Sequence, residues 1–320
     1  MRPSTTLAKI ATSATWAATR QDREKGPIVP PVLCYHRVLA AAAGSRNQPD
    51  YSVTPQQFAA QMSLLNEEGF TSLTLDEYFE VATGLRESPA RSVVVTFDDG
   101  FADNYSVAWP IARSRGVKIN LFICTGLVAG ARVAAFAEDN VRARLSRRQF
   151  PEHWRPLSWE QLREMMNAGV GVGFHSHHHR NLGRMSEPEI TSDVSEGISI
   201  FRENLGESPR FFAFPFGHYG SYPNAAIEVL AVQGIKMCFT TELGRTPLGR
   251  GGGLFSRIVI HPEDDLSSFR RKIFGGYDWV GRLRRFGYSL RTSLPNVKQT
   301  VSLLSCGVTL SILFLQMSAN

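Results

Sequence analysis

Short apolar runs alternate with amphipathic stretches over most of this chain. The runs are rich in β-branched and aromatic residues, and they predict strands at 32–35, 93–97, 117–124, 170–174, 210–214, 235–240 and 255–260. Between them, apolar residues recur at helical spacing and predict helices at 55–68, 105–114, 159–168, 187–205, 224–233 and 266–274. This alternation favours a parallel, barrel-like α/β fold whose chemistry lies at the carboxyl ends of the strands.

The ends of the chain differ from this main domain, which spans residues 31–275. Residues 1–30 are interpreted as a flexible N-terminal arm, and 128–156, rich in Ala and Arg, as an insertion at one end of the barrel. A basic linker over 276–298 precedes an apolar tail over 299–320. The tail is a candidate membrane segment, although serines and a glycine dilute it; an amphipathic helix or a poorly ordered tail is the alternative.

Charge and targeting signals narrow the expected partners. The net charge is +6, but part of the basic excess falls in the linker and no recognition motif accompanies it, so no nucleic-acid partner is expected. The N-terminus lacks a convincing secretory signal, so we expect a cytoplasmic protein, with attachment to the inner membrane through the tail as an open alternative. The four cysteines are scattered without paired spacing, which favours buried free thiols.

Two adjacent carboxylates follow the apolar run at 93–97. Asp98 and Asp99 stand at the end of this strand, where Gly100 breaks the pattern. Burying two acids there is costly unless a cation uses them. One carboxylate can bind a metal ion while the other stays free as a base.

A histidine cluster follows the strand at 170–174. His175 and His179 are spaced i, i+4, which lets two imidazoles face one ion, and Asp99 would add an oxygen ligand. Three protein ligands leave positions open, as in catalytic rather than structural sites. His177 and His178, between the two ligands, are expected to point elsewhere.

These motifs resemble the NodB-type polysaccharide deacetylases. The resemblance rests on Thr96-Phe-Asp-Asp-Gly100 and His175-Ser-x-x-His179, supported by Val32-Leu-Cys-Tyr-His-Arg-Val38 and Phe212-Ala-Phe-Pro-Phe-Gly217. It implies a distorted seven-stranded (β/α) barrel and a divalent metal, usually Zn²⁺, bound by Asp99, His175 and His179. It also implies that Asp98 is the general base, which takes a proton from water as the acetyl group is attacked.

The general acid is less closely defined. His261, in Ile258-Val-Ile-His261, occupies the place of a family acid near the C-terminus, whereas His36 matches members that begin with a Tyr-His-x-Val strand. We favour His36. A structural role remains the alternative for both.

The third motif, Ala213-Phe-Pro-Phe-Gly217, departs from the family's common form. Ala213 stands where an arginine often holds the catalytic aspartate, and Phe216 replaces a tyrosine, so the tuning of Asp98 is open. Five residues are expected to contact substrate. Pro215, Phe216 and Gly217 would form a groove wall, and Tyr219 would stack on a sugar ring. A backbone N–H near Tyr105 would stabilise the oxyanion.

The favoured function is removal of acetyl groups, chiefly N-acetyl, from an acetylated oligo- or polysaccharide. The altered third motif suggests one alternative, a non-catalytic carbohydrate-binding relative. Another is a metal hydrolase that acts on small amides with the same scaffold.

Overall fold

The architecture comes from a computed structural model that describes residues 30–39, 51–128, 151–246, 253–281 and 283. The predicted apolar tail and nearly all of the predicted arm lie outside these residues, as do most of the basic linker and of the insertion at 128–156. Within the described part of the chain, no helix is long and apolar enough to cross a membrane.

The strands are short and mostly buried. In chain order they are β1 Val32–Tyr35, β2 Arg37–Val38, β3 Ser52–Val53, β4 Thr71–Leu73, β5 Ser92–Asp99, β6 Asn120–Ile123, β7 Gly171–Phe174, β8 Phe211–Ala213, β9 Met237–Thr240, β10 Leu254–Ser256 and β11 Ile258–Val259. Every strand pairing is parallel. Parallel sheets require crossover connections, which the intervening helices supply.

The helices are α1 Pro55–Glu67, α2 Leu75–Ala82, α3 Trp109–Arg113, α4 Trp159–Asn167, α5 Glu187–Leu205, α6 Asn224–Val232 and α7 Leu266–Ile273. A π-helical turn, Asn104–Ala108, leads into α3. Capping boxes, in which the N-cap hydroxyl and the third helical side chain satisfy each other's backbone N–H groups, start α1, α2 and α4.

The main sheet closes on itself through one broken strand. Its order is β10-β9-β8-β7-β6-β5-β1-β11. The strand predicted at 255–260 is split at Arg257, so that its first half pairs with β9 and its second half with β1. Counting β10 and β11 as one broken strand gives a seven-stranded barrel, which confirms the predicted fold. Strand β4 adds to the edge of β5 next to residues Ser92–Val94.

The register sets the chemical groups side by side. Tyr35 pairs with Phe97, Asp99 with Ile123, and Ile123 with Phe174. Residues immediately beyond these pairs therefore meet at one end of the barrel, and they include His36 and His175. Helix α5 packs its predicted apolar face inward, with its apolar side chains at most 5% exposed: Ile190, Val194, Ile198 and Phe201.

Some elements were absent from the prediction. Strands β2, β3 and β4 have only two or three residues, and helix α2 has eight, so their patterns are short. The three described cysteines, Cys34, Cys124 and Cys238, are buried free thiols, as expected.

Candidate active site

The paired carboxylates sit at the end of β5 on a sharply turned backbone. Asp99 has a φ of 78°, and Gly100 follows at 91°. A left-handed φ is unfavourable for a residue with a Cβ and is concentrated at functional sites. Both acids are buried, with Asp98 1% exposed and Asp99 7%. The turn nevertheless gives the two carboxylates different surroundings.

The histidine cluster forms an irregular loop beyond β7 rather than a helix. Ser176 and His179 have left-handed φ values of 67° and 54°. The Ser176 hydroxyl accepts a hydrogen bond from the backbone N–H of His179 at 2.9 Å. This tight turn, and not helical spacing, brings the rings of His175 and His179 to a centroid separation of 5.0 Å.

Three side chains converge on one point between β5 and this loop. Oδ1 of Asp99 lies 3.6 Å from Nε2 of His175 and 3.4 Å from Nε2 of His179. This oxygen is buried and accepts no hydrogen bond from the described residues. Nδ1 of His175 donates to the Ala213 carbonyl at 2.7 Å, which leaves its Nε2 lone pair facing the group. One carboxylate and two imidazoles within 4.8 Å of one another suit a divalent cation.

The electrostatics of this group also fit a cation. Burial, reinforced by the charge of Asp98, raises the pKa of Asp99 to about 8. Burial lowers the pKa of His175, and burial together with His175 lowers that of His179 well below its usual value. Both imidazoles are therefore neutral and able to act as ligands, and a bound cation would compensate the buried charge of Asp99.

Asp98 is held by an arginine that sequence reasoning missed. Nη1 and Nη2 of Arg257 donate to the two oxygens of Asp98 at 2.6 and 2.7 Å, and Arg257 is completely buried. Burial alone would raise the pKa of Asp98, but the charge and hydrogen bonds of Arg257, together with His175 and His36, outweigh burial and hold that pKa well below the usual value. Asp98 is therefore ionised at neutral pH, as a general base must be.

Arg257 occupies the role that the sequence left open. Ala213 of the third motif carries no guanidinium, but the break between β10 and β11 lets a neighbouring strand supply one. Nη1 also lies 3.3 Å from the Thr96 hydroxyl, and Nε donates to the Thr240 carbonyl. The available signal was an arginine inside the mostly apolar run Phe255–Ile260, where an unpaired charge would be costly.

His36 lies beside Asp98, as expected for the favoured acid. Its ring nitrogen, the Cys34 thiol and an Asp98 oxygen lie within 4.8 Å of one another. The next two residues are anchored by Asp103, which accepts hydrogen bonds from Nε of Arg37 at 2.7 Å and from the backbone N–H of Val38 at 2.8 Å. Burial is the main cause that lowers the pKa of His36 to about 4.

His261 lies farther out, at the mouth of the site. Its side chain is exposed, and its backbone N–H donates to Asp264 at 2.7 Å. Tyr51 lies between the two candidate acids, with its ring centroid 5.0 Å from that of His36 and 5.4 Å from that of His261. The geometry therefore favours His36, because its ring nitrogen lies within 4.8 Å of an oxygen of the candidate base, Asp98.

The third-motif loop forms one wall of the site. Phe216 is 50% exposed, and its ring lies 5.2 Å from that of His179. A side chain on Gly217 would come within 2.6 Å of the Thr241 backbone nitrogen, which donates to the Gly217 carbonyl. Pro215 closes the turn by accepting the Gly217 N–H. The loop thus presents an apolar ring beside a candidate metal ligand.

The two predicted tyrosines are placed differently. Tyr219 is half-buried against Tyr222, with ring centroids 6.5 Å apart. Tyr105 belongs to the turn before α3, where its hydroxyl donates to Glu164 and its backbone N–H to the Ala102 carbonyl. That N–H is already used, so the structure does not offer it as an oxyanion donor.

Sequence comparison identifies the family that carries this constellation. The family named polysaccharide deacetylase matches residues 86–238, a segment that contains Asp98, Asp99, His175 and His179. The chain thus resembles the polysaccharide deacetylase family over the residues that carry the site, as predicted. The match and the named relatives confirm the predicted enzyme class, a hydrolase that acts on carbon–nitrogen bonds.

Proteins that are named deacetylases match most of the length of this chain. It is 26% identical over 263 residues to the poly-beta-1,6-N-acetyl-D-glucosamine N-deacetylase of Staphylococcus aureus, an alignment that covers 77% of this chain and 82% of the relative. The structure of IcaB from Ammonifex degensii matches with a TM-score of 0.58 and 26% identity, over 77% of this chain and 96% of that one. A Streptococcus pyogenes deacetylase, PplD in complex with acetate, matches with a TM-score of 0.63 and 22% identity, over 77% and 99%, and supports the fold.

Proposed function

We propose that this deacetylase removes N-acetyl groups from a β-1,6-linked N-acetylglucosamine polymer or its oligomers, using a divalent metal, most simply Zn²⁺. The observation that carries the proposal is that the neighbouring carboxylates of Asp98 and Asp99 have different partners. Arg257 engages both oxygens of Asp98, whereas Oδ1 of Asp99 faces His175 and His179. One acid is thus held ionised as a base while the other is available as a ligand. The named activity of the staphylococcal relative supports the substrate class.

Asp99, His175 and His179 would hold the metal. A divalent cation in such a site polarises an acyl carbonyl and lowers the pKa of water. Asp98, whose pKa is kept low by Arg257, takes the proton from the attacking water. The wall formed by Phe216 offers an apolar surface to a sugar ring or acetyl methyl group.

His36 is assigned the protonation of the departing amine. With a pKa of about 4 it is neutral in the resting site and must gain a proton before it can donate one. The negative charge of the tetrahedral intermediate favours that protonation. Its position near Asp98 also provides a short route for the proton that the base has taken up.

Acetate release from β-1,6-linked N-acetylglucosamine oligomers tests the proposal. We expect release that stops with chelator and returns with added zinc. In the Asp98→Asn variant, release should be about 10²- to 10⁴-fold slower although the variant still binds zinc. Equal release by Asp98→Asn would refute the base assignment. Release only from O-acetylated glycans or small amides would refute the substrate class.

A further inference from the structure

The loop between the candidate ligands is held by a carboxylate that plays no part in the proposed chemistry. Asp193 lies on the inward face of α5 and is 4% exposed. Its Oδ2 accepts the backbone N–H of His177 at 3.0 Å. Its Oδ1 accepts the backbone N–H of His178 at 3.2 Å and Nδ1 of the same residue at 2.8 Å.

The opposite side of the loop is held equally closely. The Gly126 N–H donates to the His177 carbonyl at 3.0 Å, and the Thr125 hydroxyl lies 2.8 Å from Nδ1 of the His177 ring. A Cβ on Gly126 would come within 2.5 Å of the His177 carbonyl, so glycine permits this approach. Gly197, one helical turn beyond Asp193, allows α5 to approach Phe174, whose ring would lie 2.4 Å from an added Cβ.

This anchoring has a structural reason. The loop contains two non-glycine residues with left-handed φ, Ser176 and His179, a conformation that persists only when the surroundings impose it. His177 and His178 fix the middle of the loop, and the candidate ligands stand at its two ends. Fixing the middle therefore fixes the separation of the ligand nitrogens.

We infer that Asp193 is a positioning residue for the metal site, which it preorganises by anchoring the backbone between His175 and His179. The inference rests on the metal site of the proposed function. It assigns His177 and His178 the role of anchors rather than ligands. Partners that orient metal ligands from outside commonly change metal affinity 10- to 100-fold when removed.

The test compares zinc affinity in the full chain with Asp193→Asn. An amide of the same shape keeps one acceptor oxygen but points its NH₂ group at an N–H of the loop, whichever way it is oriented. We expect the zinc dissociation constant to rise about 10- to 100-fold. The d–d absorption of the Co²⁺-substituted protein should also change, because the ligand geometry loosens. Zinc affinity and a cobalt spectrum equal to those of the wild type, in a folded variant, would overturn the inference.

Two further variants separate anchoring from general charge or folding effects. Glu196→Gln removes a carboxylate of the same helix that lies 3.5 Å from Nε2 of His177 and is 55% exposed, so zinc affinity should change by no more than about twofold. His178→Ala removes one of the three donors to Asp193 and should weaken zinc binding by about 3- to 10-fold. If Asp193→Asn does not fold, an unchanged affinity in His178→Ala would overturn the inference.

Zinc binding is measured without substrate, so this test is separate from that of the proposed function. Absence of acetate release with normal zinc affinity would argue against the deacetylase assignment alone. Normal acetate release by the wild type, with unchanged zinc affinity in Asp193→Asn and His178→Ala, would argue against the role of Asp193 alone.

Discussion

Replacing Arg257 with Met tests how the base is kept ionised. In the wild type, burial raises the pKa of Asp98, but Arg257, which contributes most, and the nearby histidines together lower it below its usual value. Without the guanidinium, burial remains and drives that pKa upward. Breaking a buried ion pair by removing one partner costs about 3–5 kcal/mol. At about 1.4 kcal/mol per pH unit, the cost corresponds to a rise of up to about two to four units in the pKa of Asp98.

The assay is the pH dependence of kcat/KM for acetate release. Asp98 must be deprotonated to act as a base. The acidic limb of the kcat/KM profile should therefore move to higher pH in Arg257→Met. At acidic pH, below the raised pKa of Asp98, kcat/KM should fall about tenfold for each unit of pH relative to the wild type, and it should recover as the pH rises toward 7. The acidic limb of Arg257→Lys should lie between those of the wild type and Arg257→Met, because an ammonium restores the charge but not the bidentate geometry.

Stability should follow the same linkage. Asp98 has a folded pKa below its unfolded value, so its contribution is present above the unfolded pKa and is lost as pH falls through the folded one. In Arg257→Met, the stability that ionised Asp98 contributes should be missing at neutral pH. Arg245→Met, which breaks the less buried Arg245–Asp278 pair, is the control and should leave the acidic limb in place. An unshifted limb in folded Arg257→Met would refute the reasoning.

Three other predictions follow from the packing and the site. His36→Ala should lower kcat more than His261→Ala in steady-state kinetics, because His36 lies beside Asp98 and His261 is exposed; the reverse ranking would transfer the acid role to His261. Asp98→Asn should lower kcat by about 10²- to 10⁴-fold while zinc content measured by mass spectrometry stays at one per chain, and zinc loss would show that Asp98 is a ligand. Gly197→Ala should lower the free energy of unfolding in urea by about 1–3 kcal/mol, because its methyl would overlap the Phe174 ring, and wild-type stability would contradict the close packing.

The sequence predicted the parts of this fold that depend on long, regular patterns. The α5 stripe of Ile190, Val194, Ile198 and Phe201 is buried as expected, because nineteen residues carry a clear helical period. Strand β5 likewise shows a run of β-branched and aromatic residues over 93–97. In contrast, β2 and β3 have two residues each, too few to show any period.

The site was predicted where neighbouring residues carry the signal. Asp98 with Asp99, and His175 with His179, form compact motifs, and the structure brings all four together. Arg257 was missed because its partner lies 159 positions away and depends on barrel closure.

Asp193 was missed for a related reason. Its position among apolar residues on the buried side of α5 was visible in the sequence, but what it binds depends on the loop beyond another strand. Helix periodicity shows that a carboxylate is buried and does not identify its donors.

The central claim is that one acid binds the cation and its neighbour does not. Diffraction at the zinc absorption edge from crystals of the zinc-loaded protein tests it most directly. We predict one anomalous peak within bonding distance of Asp99, His175 and His179, with Asp98 outside that distance and still paired with Arg257. A peak bonded to Asp98, or zinc bound elsewhere in the chain, would contradict the account.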